Sequence, residues 1–367
     1  MICELDVNDS NELAALLIKN DLVKSFLIRE KICNYYDIVP RLNLRTLNSL
    51  ITSTSLHIGG KGFNLSTALG SCAGEVIERI SLKNKNAHYD EYGEFPHSKY
   101  MSKKIIKKLN LSDLKKTKLI RMDGWKSKQH MLIPINWVYF STQRGAKTMR
   151  SSVGTAFNSD KNTAIRSAIL ELIERHSFLY CWYTSIPIIG LCTNKKISTL
   201  IRPFERKLNA TIKFYLLRSN IKIPVYMCVI DSKAGLAFGL SCKEKSFDAL
   251  KHALAEALQV YVSFTFLEDY SNADSKNSSI IALFNIKNNF PLKIKKSTTP
   301  MKDFKLTDTK LQFYYKDIIY PKFSNYGHVI RAYSPKLIET SPLEFPIFNT
   351  TYGYAAKFRK LGRQPFI

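Results

Sequence analysis

Residues 71–80 read SCAGEVIERI and residues 167–176 read SAILELIERH. Both obey S-x3-E-x2-E-R: Ser71, Glu75, Glu78 and Arg79 in the first copy, Ser167, Glu171, Glu174 and Arg175 in the second. Each residue turns a helix by about 100°, so offsets of 0, 4, 7 and 8 fall within an arc of about 100°. Each copy therefore lines one helix face with a hydroxyl, two carboxylates and a guanidinium. One such stripe is ordinarily a solvated face held by internal ion pairs. Here both lie in Ala-, Ile- and Leu-rich helices of the sort that become buried, and buried carboxylates need partners. Two such helices facing each other form a carboxylate-rich cage with two arginines, a setting for divalent cations that hold a polyphosphate.

A third, degraded copy follows in LKHALAEALQ (250–259). His252, Glu256, Gln259 and Val260 occupy the same offsets: the first Glu is kept, the second becomes Gln, and the Arg is lost. Hard cations such as Mg2+ take oxygen ligands and bridge carboxylates to phosphates. Glu75, Glu78, Glu171, Glu174 and Glu256 are thus candidate metal ligands from three helices. Arg79 and Arg175 can offset phosphate charge through forked hydrogen bonds. Ser71 and Ser167 sit a turn earlier, within reach of phosphate or metal-bound water. Gln259 offers a neutral amide to phosphate, adenine or ribose. No P-loop is present, because GGKG at 59–62 lacks the upstream Gly and the Ser/Thr of G-x4-G-K-[ST]. Lys61 in that loop is either a phosphate contact or part of a plain turn.

Outward from the stripes, the pattern predicts an α/β (α+β) body with repeated helix-plus-strand units. Residues 1–50 read as a helical appendage, with NELAALLIKNDLVKSFLI its clearest helix, and residues 51–367 as the main domain. A glycine-bearing loop leads into a helix over 67–82, capped by Asn64 or Ser66. Residues 83–128 read as loops and short helices, 129–141 as a strand marked by Pro134. A small-residue loop, SSVGTAFNSDKN (151–162), feeds a helix over 162–183. Strands are expected at 185–192, 211–219 and 223–231, the last pairing with 236–244 across SKAG. Helices are expected at 195–208 and from Ser246 or Asp248 to about 268. Residues 270–310 are polar and read as loops.

The bulk numbers bound the function. With 367 residues, 45% of them hydrophobic and 12% aromatic, the chain builds a sizeable core. Its formal net charge of +25 attracts anions such as nucleotides, acidic peptides or acidic partners. No basic block carries interleaved aromatics, so a dedicated nucleic-acid surface is not expected. The seven cysteines are odd in number and form no C-x2-C pair, which argues against structural zinc and against a disulfide framework. The N-terminus lacks the basic start and apolar run of a signal peptide, and no stretch is long enough to span a bilayer. A cytoplasmic protein is expected.

GKGFNLSTALGSCAGEVIERIS (60–81), SSVGTAFNSDKNTAIRSAILELIERHS (151–177) and LKHALAEALQ (250–259) resemble, in this order, the three motif blocks of the YcaO family. The resemblance implies a YcaO-like fold around a non-P-loop site for ATP and Mg2+. It implies Glu75, Glu78, Glu171, Glu174 and Glu256 as metal or nucleotide ligands, with Lys61, Ser71, Arg79, Ser167, Arg175 and Gln259 beside them, Arg79 and Arg175 stabilising transferred charge. The implied activity is cyclodehydration in ribosomal peptide (microcin or bacteriocin) biosynthesis. A Cys, Ser or Thr side chain attacks the preceding amide carbonyl, ATP phosphorylates the oxyanion, and phosphate leaves as a thiazoline or oxazoline forms. Partners implied are a precursor peptide, a separate E1-like leader-binding protein and a flavin-dependent dehydrogenase. The alternatives are thioamide or macroamidine formation, or a non-catalytic accessory role in ribosomal-protein modification. Three positions depart from the family pattern: Val153 stands where an Asn is common, Tyr261 where a basic residue is common, and the tail ends RQPFI instead of in a proline-rich P-x-P-x-P. The family tail implies a catalytic place for the Ile367 carboxylate.

Overall fold

The computed structural model describes residues 3–5, 11–50, 58–84, 86–93, 117–140, 152–184, 186–192, 194–233, 235–270 and 294–337. Among the described residues, three sheets form the framework. The first has the order β1 (Cys3–Leu5), β2 (Val23–Ile32), β3 (Tyr35–Leu42), β4 (Gly60–Gly62), all antiparallel. The second joins β5 (Glu91–Gly93), β6 (Thr117–Gly124), β14 (Tyr314–Asp317), β15 (His328–Tyr333) and β8 (Thr155–Asn158), with β7 (His130–Pro134) also paired to β6. The third runs β12 (Gly235–Ser241), β11 (Val225–Ser232), β10 (Thr211–Leu217), β9 (Ile188–Leu191), β13 (Ile294–Thr299). The helices are α1 (Glu12–Lys19), α2 (Leu44–Leu50), α3 (Leu65–Leu82), the short α4 (Ile135–Val138), α5 (Lys161–Thr184), α6 (Lys195–Leu208) and α7 (Ser246–Tyr270).

The acidic stripes lie on α3, α5 and α7, and a strand comes just before each of these helices. β4 precedes α3, β8 precedes α5 and β12 precedes α7, and the three strands belong to three different sheets. The strand–helix unit is therefore repeated without the sheets being continuous. Two hydrophobic cores result. One packs α5, α6 and α7 around the third sheet, with Ile169, Leu172, Phe204, Met227 and Leu254 at its centre. The other packs α3 between the first and second sheets, with Phe26, Ile38, Val76, Ile77 and Ile120 buried together.

Local chemistry explains the helix starts. The Asn64 side chain accepts from the Thr67 N–H at 2.8 Å, which settles the α3 cap in favour of Asn64 over Ser66. Asn194 caps α6 in the same way. α7 takes its cap from a distant loop: Asp303 accepts from both the N–H and the hydroxyl of Ser246 at 2.9 Å. Small residues set the strand–helix distance. A Cβ on Gly60 would lie 2.1 Å from the Ala68 carbonyl oxygen, and one on Gly239 would lie 2.3 Å from backbone atoms of Ala253 and Ala257.

Several expectations are corrected. The segment 11–28 is not one helix: α1 stops at Lys19, Asn20 caps it, and Asp21 adopts a φ of 56°. Beyond it, the β-branched, alternating Val23–Ile32 segment forms a strand, with Tyr35–Leu42 as its hairpin partner. The described residues of the N-terminal fifty thus form a sheet with two helices, and that sheet continues past residue 50 into Gly60–Gly62. Strands also replace expected loops at Glu91–Gly93, Thr117–Gly124 and Ile294–Thr299. The strand expected over 129–141 ends at Pro134, and a single turn of helix follows. The β11–β12 hairpin forms as expected, with Ser232 opposite Gly235.

Candidate functional site

Each acidic side chain of the two complete stripes leans on a main-chain amide from outside its own helix. The Gly59 N–H donates to Glu75 Oε2 at 3.1 Å, and the Phe157 N–H donates to Glu78 Oε1 at 2.6 Å. The Gly154 N–H donates to Glu171 Oε2 at 3.0 Å, and the Cys242 N–H to Glu174 Oε2 at 3.2 Å. The donors lie in or next to β4, β8 and β12. Glu78 on α3 is held by a residue of β8, which ties the first stripe to the second.

Cations complete the arrangement. Arg79 pairs with Glu75 at 2.8 Å, one turn back on the same helix. Arg175 lies 3.6 Å from Glu174, an ion pair too long to be a hydrogen bond. Lys61, between the two glycines of β4, pairs with Glu256 and donates to Gln259 Oε1 at 3.0 Å. The three helices and the loop thus meet in one polar centre, with every one of these side chains a quarter or less exposed.

The electrostatics divide this centre. Burial pushes the Glu78 carboxyl up to about 8, reinforced by Glu75, and pushes Glu174 up to about 7, reinforced by Glu256 and Glu171. Glu171 is also raised by burial, with Arg175 and the Gly154 amide opposing. Glu256 behaves oppositely. Burial alone would raise it, but Lys61, His252 and Arg175 together outweigh burial and hold it at about 2. Lys61 in turn stays above its usual value: burial would lower it, and Glu256 and Glu75 more than compensate. His252, a turn before Glu256, is lowered to about 3 by burial and by Lys243, so it is neutral at physiological pH.

Two kinds of group are left over. The carboxylates of α3 and α5 repel each other in a buried setting, which calls for a cation. Arg79 Nε, Arg175 Nε and Nη1, and His252 Nδ1 are buried with no hydrogen-bond partner, and the guanidinium donors call for an anion. Oxygen donors for a hard cation and forked donors for phosphate are the set a magnesium–nucleotide complex requires. The carboxylates do not close into a cage of their own, however. Among the described residues no three Asp, Glu, His or Cys side chains converge tightly enough to enclose a metal ion. Phosphate oxygens and water would complete the coordination.

Ser71 is exposed and Ser167 half-buried, and neither hydroxyl makes a hydrogen bond among the described residues. Ile367 lies outside the described residues. Residues the stripes did not reveal also matter. Arg331 on β15 is 2% exposed and donates to Thr155 Oγ1 at 3.1 Å and to the carbonyls of Val153 and Trp137. It thereby fixes the loop that presents the Gly154 and Phe157 amides. A lone arginine in a strand carries no repeat or spacing that would mark it in the sequence.

A family model described as YcaO cyclodehydratase, ATP- and Mg2+-binding, matches residues 59–314. The chain belongs to the YcaO family. The matched segment contains all three acidic helices and the Lys61 loop. Solved structures agree in fold. A heterocyclase in complex with substrate and cofactor is 15% identical with a TM-score of 0.70, covering 96% of this chain; the chain spans 57% of that protein's length. The YcaO protein of Methanopyrus kandleri, bound with AMPPCP and Mg2+, is 14% identical with a TM-score of 0.65, over 99% of this chain and 98% of that one. The E. coli microcin synthetase McbBCD complex with pro-MccB17 bound gives 15% identity and a TM-score of 0.63, over 86% of this chain and 89% of that one. A comparison with curated protein sequences finds no match. Among the described residues, no helix of this YcaO chain is long and apolar enough to cross a membrane.

Proposed function

We propose that this YcaO protein is the ATP-dependent subunit of a peptide cyclodehydratase that forms thiazolines or oxazolines in a ribosomally made precursor peptide. The observation that carries the proposal is the pairing of crowded carboxylates on α3 and α5 with buried, unpartnered guanidinium nitrogens on the same two helices. Glu75, Glu78, Glu171, Glu174 and Glu256 hold Mg2+ and the nucleotide, and Arg79 and Arg175 direct their free N–H groups at phosphate. Bound ATP supplies the phosphoryl group that turns an amide oxygen into a leaving group. The residues of the chain contribute charge and orientation: fixed donors in a low-dielectric site stabilise developing negative charge without reorganising. Lys61 neutralises Glu256 and keeps that side of the centre in place, and Gln259 offers its amide N–H to the nucleotide.

The partners are a separate leader-binding protein and, for oxidation to azoles, a flavin-dependent dehydrogenase; the +25 charge suits recruitment of acidic surfaces. All seven cysteines are free thiols, which suits the reducing cytoplasm. Mass spectrometry of a co-expressed precursor tests the reading. Loss of one water per ring, dependent on this chain, is expected. Exchange of oxygen for sulfur in the peptide would overturn it.

A further inference from the structure

β2 contains a bulge beside the polar centre. Ile28 stands opposite Ile38 and Glu30 opposite Asp37, so Arg29 is the extra residue between them. A bulge re-aims one side chain. Here it brings the Arg29 guanidinium onto the Asp37 carboxylate, which is completely buried. Such a pair is a poor source of stability compared with apolar residues of the same size. Its connections are more informative. Arg29 Nη2 donates to Ser263 Oγ at 3.0 Å, and the Ser263 hydroxyl donates to the Gln259 carbonyl at 2.8 Å, one turn earlier on α7. The Gln259 side chain accepts from Lys61, and Lys61 pairs with Glu256. Asp37 and Lys61 are directly opposite across β3 and β4, so their side chains leave the same face of the sheet. Burial raises the Asp37 carboxyl, while Arg29 and Lys61 pull it down. The polar chain leaves Lys61 through α7 and returns to it through two strands of the first sheet.

We infer that Arg29, Asp37 and Ser263 are positioning residues that hold Lys61 and Gln259 ready for the nucleotide, making the N-terminal sheet a working part of the site. The inference rests on the nucleotide reading given above and extends it to residues outside the three acidic helices. The physical gain is preorganisation. A lysine on a three-residue strand has four rotatable bonds to order, and bracing its partners in advance removes part of that cost from binding.

The test is the dissociation constant of the full chain for Mg2+ with AMPPCP, measured by calorimetry. Ser263→Ala removes only the hydroxyl that joins Arg29 to α7. It is expected to weaken binding about five-fold, the equivalent of one hydrogen bond, with an unchanged unfolding midpoint. Ser263→Thr, which keeps a hydroxyl, restores binding. Arg29→Lys keeps the charge but loses the fork and weakens binding at least as much. In a Lys61→Gln background, Ser263→Ala has no further effect, because the group it positions is gone. Wild-type affinity in Ser263→Ala and Arg29→Lys, or a full additional loss in the Lys61→Gln background, overturns the inference alone. Wild-type affinity in Lys61→Gln itself overturns the nucleotide reading of that loop, and the inference with it.

Discussion

The α3–α5 side of the site and the α7 side carry the same kind of residue in opposite states. Glu78 and Glu174 sit among carboxylates and are pushed up to about 8 and about 7, whereas Glu256 sits against Lys61 and is held at about 2. Both sides are buried, so depth does not separate them. The separating factor is how far the chain's own cations offset the carboxylates: Glu75, Glu78, Glu171 and Glu174 share Arg79 and Arg175, whereas Glu256 has Lys61 in direct contact. α7 has traded a glutamate for Gln259 and has no arginine at the end of its stripe, yet it is the side that Lys61 neutralises. The side with two complete stripes is short of positive charge and suits metal. The degraded stripe is satisfied internally and suits a structural or nucleotide-orienting role.

Removing a carboxylate from either helix of the α3–α5 side is the strongest way to break this contrast. Glu78→Gln and Glu171→Gln are each expected to cut Mg2+-dependent ATP turnover by about 100-fold or more, the scale of losing a fixed electrostatic group in an active site. Glu78→Gln should at the same time raise the melting temperature of the metal-free protein at neutral pH, because a neutral amide replaces a crowded carboxyl. A fall in that melting temperature would contradict the repulsion.

Strand–helix contact comes next. Gly60→Ala drives a methyl into α3, and Gly239→Ala drives one into α7. Backbone atoms block both, so each is expected to cost about 3 kcal/mol in denaturant unfolding. If either is silent, that strand does not set the position of its helix. Glu256→Gln is expected to destabilise the protein by about 2 kcal/mol, below the range for a deeply buried pair because Lys61 and Glu256 are both about one-fifth exposed. Unlike Glu78→Gln, it lowers stability whether or not metal is present.

The smallest effect is the most discriminating. A carboxyl whose folded value is raised keeps its proton after the unfolded chain has lost it. Between the ordinary value of 4.5 and about 8, Glu78 therefore makes the metal-free protein less stable as pH rises. Glu256, held low, contributes stability above 4.5 that is lost as pH falls through about 2. Melting curves against pH should show the first slope near neutrality, flattened by saturating Mg2+ and nucleotide or by Glu78→Gln. A neutral-pH slope unaffected by either would assign it to other groups.

The acidic helices were legible because a 3.6-residue period leaves a mark at fixed offsets: Glu75, Glu78, Glu171, Glu174 and Glu256 do converge, with Arg79, Arg175, Lys61 and Gln259. Four strands of the third sheet, β9 to β12, were legible too, since they are short apolar runs separated by turn residues, whereas the polar β13, IKKSTT, was not. What was hidden is what lies between elements. The Val23–Leu42 hairpin follows a good helix with no proline or glycine between, and only the left-handed Asp21 marks the change. The partners of the carboxylates are main-chain amides, to which any residue type contributes equally, so Phe157 and Cys242 carry no signal. Arg29, Asp37 and Arg331 act through contacts far along the chain.

The four amides of Gly59, Gly154, Phe157 and Cys242 each touch one glutamate. In a nitrogen-15 spectrum those resonances form a ready set of sensors scattered along the chain. Metal entering on the α3–α5 side would move all four peaks as their carboxylates polarise. Nucleotide lacking metal would leave them closer to rest, so the order of ligand arrival could be followed without labelling either ligand.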